Sequence, residues 1–480
     1  MNQISPGAKL AYGMGSMLYA VKDAAFGTFV LLYYTQVLGL SGSLTGLAIF
    51  LSVLWDAVSD PMIGAWSDRL DTSWGRRHPM LVAGALPLAL SFVMLFQPID
   101  AVMDTQWPLF AWLLASVLLL RTFLTVFIIP HSAMGAELTD DYDERTSIVN
   151  FRTNLGWLAG TALPAISLAV FFRTTDGRDG RFVIENYHLY GWASFFVVLV
   201  AACVCIQGSR QFIPRLIEVA RRGAPTPGFV GMVRDTIDTL KNANFRRVIV
   251  LEIAVGGTMG ILGALNMIAW TYFWELSVSQ IASLSIAALI AVASIFPGMS
   301  LLASRWEKQA LLKFAVIGLV FNTVWFVPGR LLGILPANGT TFLFALVFVQ
   351  WMISAGLMIL RTVSLHSIMA DIADEYELHT GRRQEGVFFA AAAFALKFVM
   401  GFGYIIGGPL LDIVGLTAGV APGEASPEAL LGIGIAIGPV LALMLLVPCW
   451  MAMRLEVSRE GLDAVHEGLG LSGAVSGTES

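Results

Sequence analysis

Two carboxylates sit one helical turn apart inside an apolar run, in the segment Trp55-Asp56-Ala57-Val58-Ser59-Asp60-Pro61. The i and i+4 spacing puts both acids on one helix face with Ser59 beside them. Two carboxylates that close repel when both are ionised, so they either share a proton or are neutralised by a bound cation. Oxygens of Asp56, Ser59 and Asp60, with a facing threonine, suit a hard cation such as Na⁺, and the same pair can carry H⁺. The competing reading is structural: Asp60 ends its helix before Pro61, and Asp56 pairs with a Lys or Arg. Lys397 is the lone base of its own apolar run, and a cation there needs an anionic neighbour, for which Asp56 or Asp60 is the candidate, or else it snorkels to an interface. Lys22-Asp23 is a second charged pair within an apolar run. Adjacent residues diverge on a helix, so each is expected to find its partner elsewhere, Asp23 in a cavity or in a purely structural pair.

Other polar residues have weaker claims. Arg121, Arg152 and Arg361 could each hold a carboxylate, phosphate or hydroxyl-rich solute in a planar fork, or cap a helix end. Asp68, Arg69, Arg76 and Arg77 in one connection, Glu137 to Arg145 in another, and Asp371, Asp374 and their neighbours in a third form charged clusters. Such clusters suit gating by exchange of ion pairs between two states. His131 follows Pro130 in an apolar run, with a modest claim as proton relay. Tyr33, Tyr34, Trp270, Tyr272 and Trp274 lie near run ends, where an interfacial aromatic belt is expected. Cys203, Cys205 and Cys449 lie inside apolar runs without zinc-ligand spacing, so they read as reduced packing residues and no resident metal or cofactor is expected. No phosphate-binding Gly-x-x-x-x-Gly-Lys-Ser/Thr loop occurs, so no nucleotide is expected either.

Only lipid can solvate the elements that carry these groups. The 480 residues are 56% hydrophobic and 13% charged, and mean hydropathy is +0.74, outside the range of an ordinary soluble enzyme. Apolar runs of roughly 20 residues recur, each long enough to cross a hydrocarbon core about 30 Å thick. Twelve spans are expected, near 10–37, 43–66, 79–97, 108–135, 150–172, 189–207, 247–274, 281–303, 310–333, 341–368, 385–413 and 428–452. The first, unbroken from Ala11 to Leu40, is too long for a cleavable signal and is expected to direct insertion itself. Lys and Arg concentrate in the even-numbered connections, which puts those connections and both termini in the cytoplasm. The basic stretch Arg173 to Arg181, in an odd connection, is the imperfect fit. A net charge of −5 without a basic stripe argues against a nucleic-acid partner. The expected organisation is a six-helix half over 1–207, a cytoplasmic linker over 208–245 carrying Pro214, Pro225 and Pro227, a second half over 246–455, and a disordered cytoplasmic tail over 456–480. Leu120-Arg121-Thr122 and Leu360-Arg361-Thr362, each ahead of an acidic segment, hint at a repeat of the halves.

The same residues, in this order, resemble the glycoside-pentoside-hexuronide:cation symporter family of the major facilitator superfamily. The resemblance rests on Tyr33-Tyr34-Thr35-Gln36-Val37-Leu38-Gly39-Leu40, on Trp55-Asp56 through Asp60-Pro61, and on Gly64-Ala-Trp-Ser-Asp68-Arg69 with Gly75-Arg76-Arg77. Ile129-Pro130 with Glu137-Leu138-Thr139, and Ala370 to Asp374 ahead of Lys397, continue it. It implies an all-α membrane fold of twelve helices in two six-helix halves, a cation site of Asp56, Ser59, Asp60 and Thr125, Lys397 between cation and solute sites, and Arg152 near the solute. Galactoside-transporting members carry an Asp where this chain has Ile128, and their first-span Asp aligns with Ala20, one turn from Asp23. The expectation is therefore a Na⁺- or H⁺-coupled symporter for a small organic solute of sugar or glycoside type, monomeric and in a bacterial inner membrane. An amphiphile such as a lysolipid is the alternative solute, and a non-transporting sensor or scaffold the alternative class.

Overall fold

The computed structural model describes residues 4–175, 177–222, 239–380 and 385–455. Asp176, the middle of the linker, the Arg382-Arg383 pair and the 456–480 tail lie outside the described residues. Twelve helices are long and apolar enough to span a membrane: Pro6–Val37, Gly42–Arg69, His78–Phe96, Gln106–Glu137, Asp143–Val170, Ile184–Arg221, Ala243–Phe273, Val278–Ile295, Lys308–Leu331, Thr341–Leu378, Phe394–Ile413 and Pro427–Arg454. They fall at the twelve expected places, because in lipid every backbone N–H and C=O must be satisfied within its own helix. Polar side chains cap several starts: Ser5 Oγ accepts from the Ala8 amide at 3.3 Å, Ser41 Oγ from Leu44 at 3.2 Å, and an Asp141 oxygen from Glu144 at 2.8 Å. The second span does not end before Pro61 but continues to Arg69. A proline there removes only the hydrogen bond to the Ala57 carbonyl. The sixth span runs on through a short turn into the helix Ile213–Arg222, so the start of the linker is helical.

The chain forms two compact units, which do not follow the halves of the sequence. The first holds Met1–Pro225 with Gly263–Ser285 and Tyr404–Leu430; the second holds Thr226–Leu262, Ile286–Gly403 and Leu431–Ser480. In the first unit the second span meets the eleventh through glycines. A Cβ on Gly46 would strike the Tyr404 carbonyl, and one on Gly408 the Gly42 carbonyl. One end of this unit is an aromatic plug in which Tyr33 stacks on Tyr187 at 4.1 Å and Phe29 on Phe172 at 4.6 Å. Tyr33, Tyr34 and Tyr272 are fully buried, not arrayed in an interfacial belt, and Trp274 is nearly so. Their hydroxyls explain the difference: Tyr34 donates to the Leu95 carbonyl at 2.8 Å and Tyr272 to Gln36 Oε1 at 3.0 Å, so the polar end needs no headgroup water. The second unit packs around Phe245, Leu251, Leu312, Leu365, Ile372 and Phe388, and Asn322 Nδ2 ties the ninth span to Ser354 Oγ of the tenth at 2.7 Å.

The first and seventh spans end alike. Each closes in a π-helical turn, Tyr33–Val37 and Ala269–Phe273. Leu38 and Trp274 each donate to a carbonyl five residues back at 2.9 Å, and Leu40 and Leu276 each donate six residues back at 2.8 Å. Both turns then need a left-handed residue, Gly39 at φ 75° and Glu275 at φ 49°. The two span ends thus share one backbone geometry.

Candidate cation and solute site

The paired carboxylates face the fourth span in register. Asp56 is ion-paired with Arg121 Nη1, both side chains being buried. One turn along both helices, Thr125 Oγ1 donates to Asp60 Oδ1 at 2.8 Å. A third link, from Trp55 Nε1 to Thr122 Oγ1 at 2.8 Å, fixes the same register. Ser59 is buried, and its hydroxyl has no hydrogen-bond partner among the described residues. Arg121 also lies over the Phe26 ring at 5.3 Å, which brings in the first span. Buried Asp56, Ser59, Arg121 and Thr125 and half-buried Asp60 thus share one locus in the first unit. Arg121 lies within its span and holds the Asp56 carboxylate.

Around this locus the first and fifth spans add further polar groups. Lys22 is buried and contacts Asp23 directly, whose own side chain is 53% exposed. The expectation that these neighbours would part is corrected: a four-carbon stem is long enough to curl back to the adjacent carboxylate, and burial of the ammonium rewards it for doing so. Arg152, half-buried on the fifth span, lies beside Tyr12 and His131, and its carbonyl accepts from Ser16 Oγ at 2.8 Å. His131 is fixed by a stack on Tyr12 at 4.5 Å and a 2.8 Å bond from its Nε2 to the Tyr12 carbonyl oxygen. Its ring fills the place a side chain on Gly15 would occupy. Ile128 is half-buried, one turn beyond Thr125.

Charged clusters mark the end of the first unit that bears the arginine-rich connections. Glu137 Oε1 receives Arg76 Nη2 at 2.8 Å and Arg77 Nη2 at 2.6 Å, while Arg77 Nη1 reaches Asp68 at 2.7 Å. Arg215 of the linker helix joins them by donating to the Glu137 carbonyl at 3.1 Å and pairing with Asp140 at 2.9 Å. Arg69 and Arg145 are exposed, and Arg145 Nη2 donates to the Thr139 carbonyl at 3.4 Å. In the second unit Lys308 pairs with Asp371 at 2.8 Å, one turn before half-buried Asp374. Lys397 lies on the helix Glu385–Ile413, and its side chain is outside the described residues.

A model for MFS/sugar transport proteins matches residues 11–459. The chain belongs to the MFS/sugar transport family. Over 94% of this chain and 90% of the relative, this family member is 25% identical to the inner membrane symporter YicJ of Escherichia coli (strain K12). It is 21% identical to the isoprimeverose transporter of Lactiplantibacillus pentosus, over 89% of this chain and 85% of that one. A solved bacterial homologue of the human lysosomal transporter Spinster, inward-facing and unoccupied, gives a TM-score of 0.66 over 95% of this chain and 100% of the other at 13% identity, a likeness of fold. The protein is thus a multi-pass bacterial membrane transporter of the major facilitator type.

Two buried groups of this family member escaped the sequence reading. Glu252, the sole carboxylate of the seventh span, holds Arg361 Nη2 at 2.8 Å, both residues being buried. Its rarity in an apolar run was the available signal, as it was for Lys397. Arg181 is fully buried: it pairs with Asp179 at 2.6 Å, donates to Thr271 Oγ1 at 2.7 Å and to the Leu276 carbonyl at 3.2 Å. That gives one arginine of the misfitting basic connection a packing role, while Arg173 and Arg178 remain exposed.

Proposed function

We propose that the protein is a cation-coupled symporter that accumulates a small hydroxyl-bearing solute of sugar or glycoside type across a bacterial inner membrane, working as a monomer by alternating access. Asp56, Ser59, Asp60 and Thr125 hold the coupling cation, Na⁺ or H⁺. The observation that carries this reading is the register of the second and fourth spans, in which buried Asp56 and half-buried Asp60 stand one turn apart and meet different side chains of the fourth span. Buried charge of that kind costs stability and is kept where it moves an ion. Lys22, Asp23 and Arg152 are the solute-side polar groups, with Ile128 as an apolar wall, and Lys397 is a further coupling residue. The clusters at Asp68, Arg69, Arg76, Arg77, Glu137 and Arg145, and at Asp371 and Asp374, exchange ion pairs as the transporter opens and closes. The family description and the isoprimeverose transporter favour a sugar; the symporter relative favours coupling.

Proteoliposomes given radiolabelled isoprimeverose and a panel of methyl glycosides under an imposed Na⁺ or pH gradient test this. Uphill uptake of one of them, lost in Asp60→Asn while downhill exchange persists, is the expected result. Uptake of a lysolipid and of no glycoside would move the solute class to an amphiphile. Gradient-driven uptake that survives Asp60→Asn would remove the paired carboxylates from coupling.

A further inference from the structure

The first turn of the second span takes part of its cap from the other half of the sequence. Ser41 accepts from the Leu44 amide at 3.2 Å through its hydroxyl and from the Thr45 amide at 3.0 Å through its carbonyl, which leaves the Gly42 and Ser43 amides without a partner in their own helix. Asp412 of the eleventh span takes both. Its Oδ1 accepts from the Gly42 amide at 2.7 Å, and its Oδ2 accepts from the Ser43 amide at 2.8 Å and the Ser43 hydroxyl at 2.5 Å. The positive end of the helix dipole and the ionised acceptor both favour a carboxylate there. Beside this cap the glycine crossing of the same two spans is packed backbone to backbone, and Thr45 and Ile49 are fully buried. Other ties join the two halves of the sequence at this end of the first unit, but they are built differently. The Gly419 amide donates to the Gln36 carbonyl at 3.0 Å and Tyr272 to Gln36 Oε1 at 3.0 Å, neutral group to neutral group. Arg181 bonds Thr271 and the Leu276 carbonyl, yet its ion pair is with Asp179 of its own connection. Every hydrogen bond of the Asp412 carboxylate among the described residues goes to the second span, 369 and 370 residues away. Asp412 is nevertheless exposed. Water can therefore take over its charge when the spans part, without the cost of stranding an ion in an apolar interior.

We propose that Asp412 is the gating residue of this end of the transporter: its carboxylate holds the start of the second span against the eleventh, and the end opposite the arginine-rich connections opens when those three bonds are given up to water. The proposal rests on the alternating-access reading and names the residue that keeps one side of the cycle shut. Glycine packing alone gives two helices a close approach with no charged group to fix it. The carboxylate adds a tie that is directional and charge-assisted while made, and that costs little to solvate once broken. A two-state gate needs both properties, since a contact that could not be released would stop the cycle. Asp412 thus acts through the position of the second span and touches no solute.

Maleimide labelling of a single buried cysteine in the purified full-length protein tests this. With Cys203, Cys205 and Cys449 changed to alanine, Ile49→Cys supplies one thiol a turn past Gly46 on the face that meets the eleventh span, at a position fully buried here. Slow labelling is expected, at the rate at which this end opens. Asp412→Ala is expected to speed it roughly tenfold or more, because bonds to a charged acceptor no longer hold the end shut. Ser43→Ala, which removes one of the three bonds, is expected to give a smaller rise. Cys205, buried near the end of the sixth span with its thiol on the Tyr12 carbonyl, is the control. Kept as the one thiol with Ile49 in place, it is expected to label at the same rate with Asp412 and with Asp412→Ala. Unchanged labelling of Ile49→Cys in folded Asp412→Ala overturns the proposal, and so does a rise shared equally by Cys205, which would mean general loosening. Should Asp412→Ala not fold, Ser43→Ala decides: a rise confined to Ile49→Cys supports the proposal, and no rise overturns it. The underlying reading fails in a different way. Were Ile49→Cys never labelled, with Asp412 or without it, in protein that still accumulates a glycoside, this end would not open during transport, and alternating access would fall together with the gate.

Discussion

Arg361 and Glu252 carry their charges into the second unit together, on the tenth and seventh spans. Several of their polar atoms, Arg361 Nε and Nη1 and Glu252 Oε2, have no further partner among the described residues. A buried pair of this kind contributes little net stability while intact, since desolvation offsets attraction; losing one partner leaves an uncompensated charge and costs about 3–5 kcal/mol. Arg361→Gln is therefore expected to lower the unfolding temperature sharply, and Glu252→Gln/Arg361→Gln to recover much of the loss. A double-mutant cycle read by thermal unfolding in detergent checks this; two additive losses would show that the pair is not coupled. The carboxylate spacing of Asp56 and Asp60 was legible in the sequence because helix periodicity is local. Their partners were not: Arg121 lies 65 residues from Asp56, and a single chain carries no signal of which distant charge meets which. A separation of 109 residues hid Glu252 from Arg361 in the same way.

At the scale of elements, the twelve spans were legible because the apolar length needed to cross a bilayer is written in consecutive residues. What the side chains do at the span ends was not, since Tyr and Trp suit an interface and a satisfied core equally well. The turn after the seventh span shows how much the backbone demands there. Glu275 takes φ 49°, where the corresponding position after the first span is Gly39. Left-handed backbone costs a side-chain-bearing residue about 1–2 kcal/mol, and glycine gives back part of that in unfolded-chain entropy. Glu275→Gly is expected to stabilise by up to about 1 kcal/mol, seen as a higher unfolding temperature; a lower one would show that the carboxylate makes a contact worth more than the strain. The glycine crossing of the second and eleventh spans has the opposite sign. Gly408→Val would set a branched side chain against the Gly42 carbonyl, so the helices would have to part. Small residues at such crossings let backbones approach closely enough for packing to replace the missing hydrophobic drive in lipid.

At the scale of the whole molecule, sidedness follows from charge distribution. Arginines concentrate in even-numbered connections, and translocation disfavours Lys and Arg in short loops. In the one basic odd connection Arg181 is buried among Asp179, Thr271 and Leu276, while Arg173 and Arg178 stay exposed. On that pattern the Asp68, Arg77 and Glu137 cluster is expected to face the cytoplasm, where it would latch the inner side of the transport cycle. Single cysteines in a background with Cys203, Cys205 and Cys449 changed to alanine test the topology directly. Ser73→Cys lies in the connection between the second and third spans, Asp104→Cys in the next, and Ala337→Cys between the ninth and tenth; all three positions are exposed. In intact cells a membrane-impermeant maleimide is expected to label the Asp104→Cys and Ala337→Cys variants from outside, and the Ser73→Cys variant only after permeabilisation. The reverse pattern would turn the molecule over, moving the charged latch to the outer face and making the aromatic plug at Tyr33 and Tyr187 the cytoplasmic end.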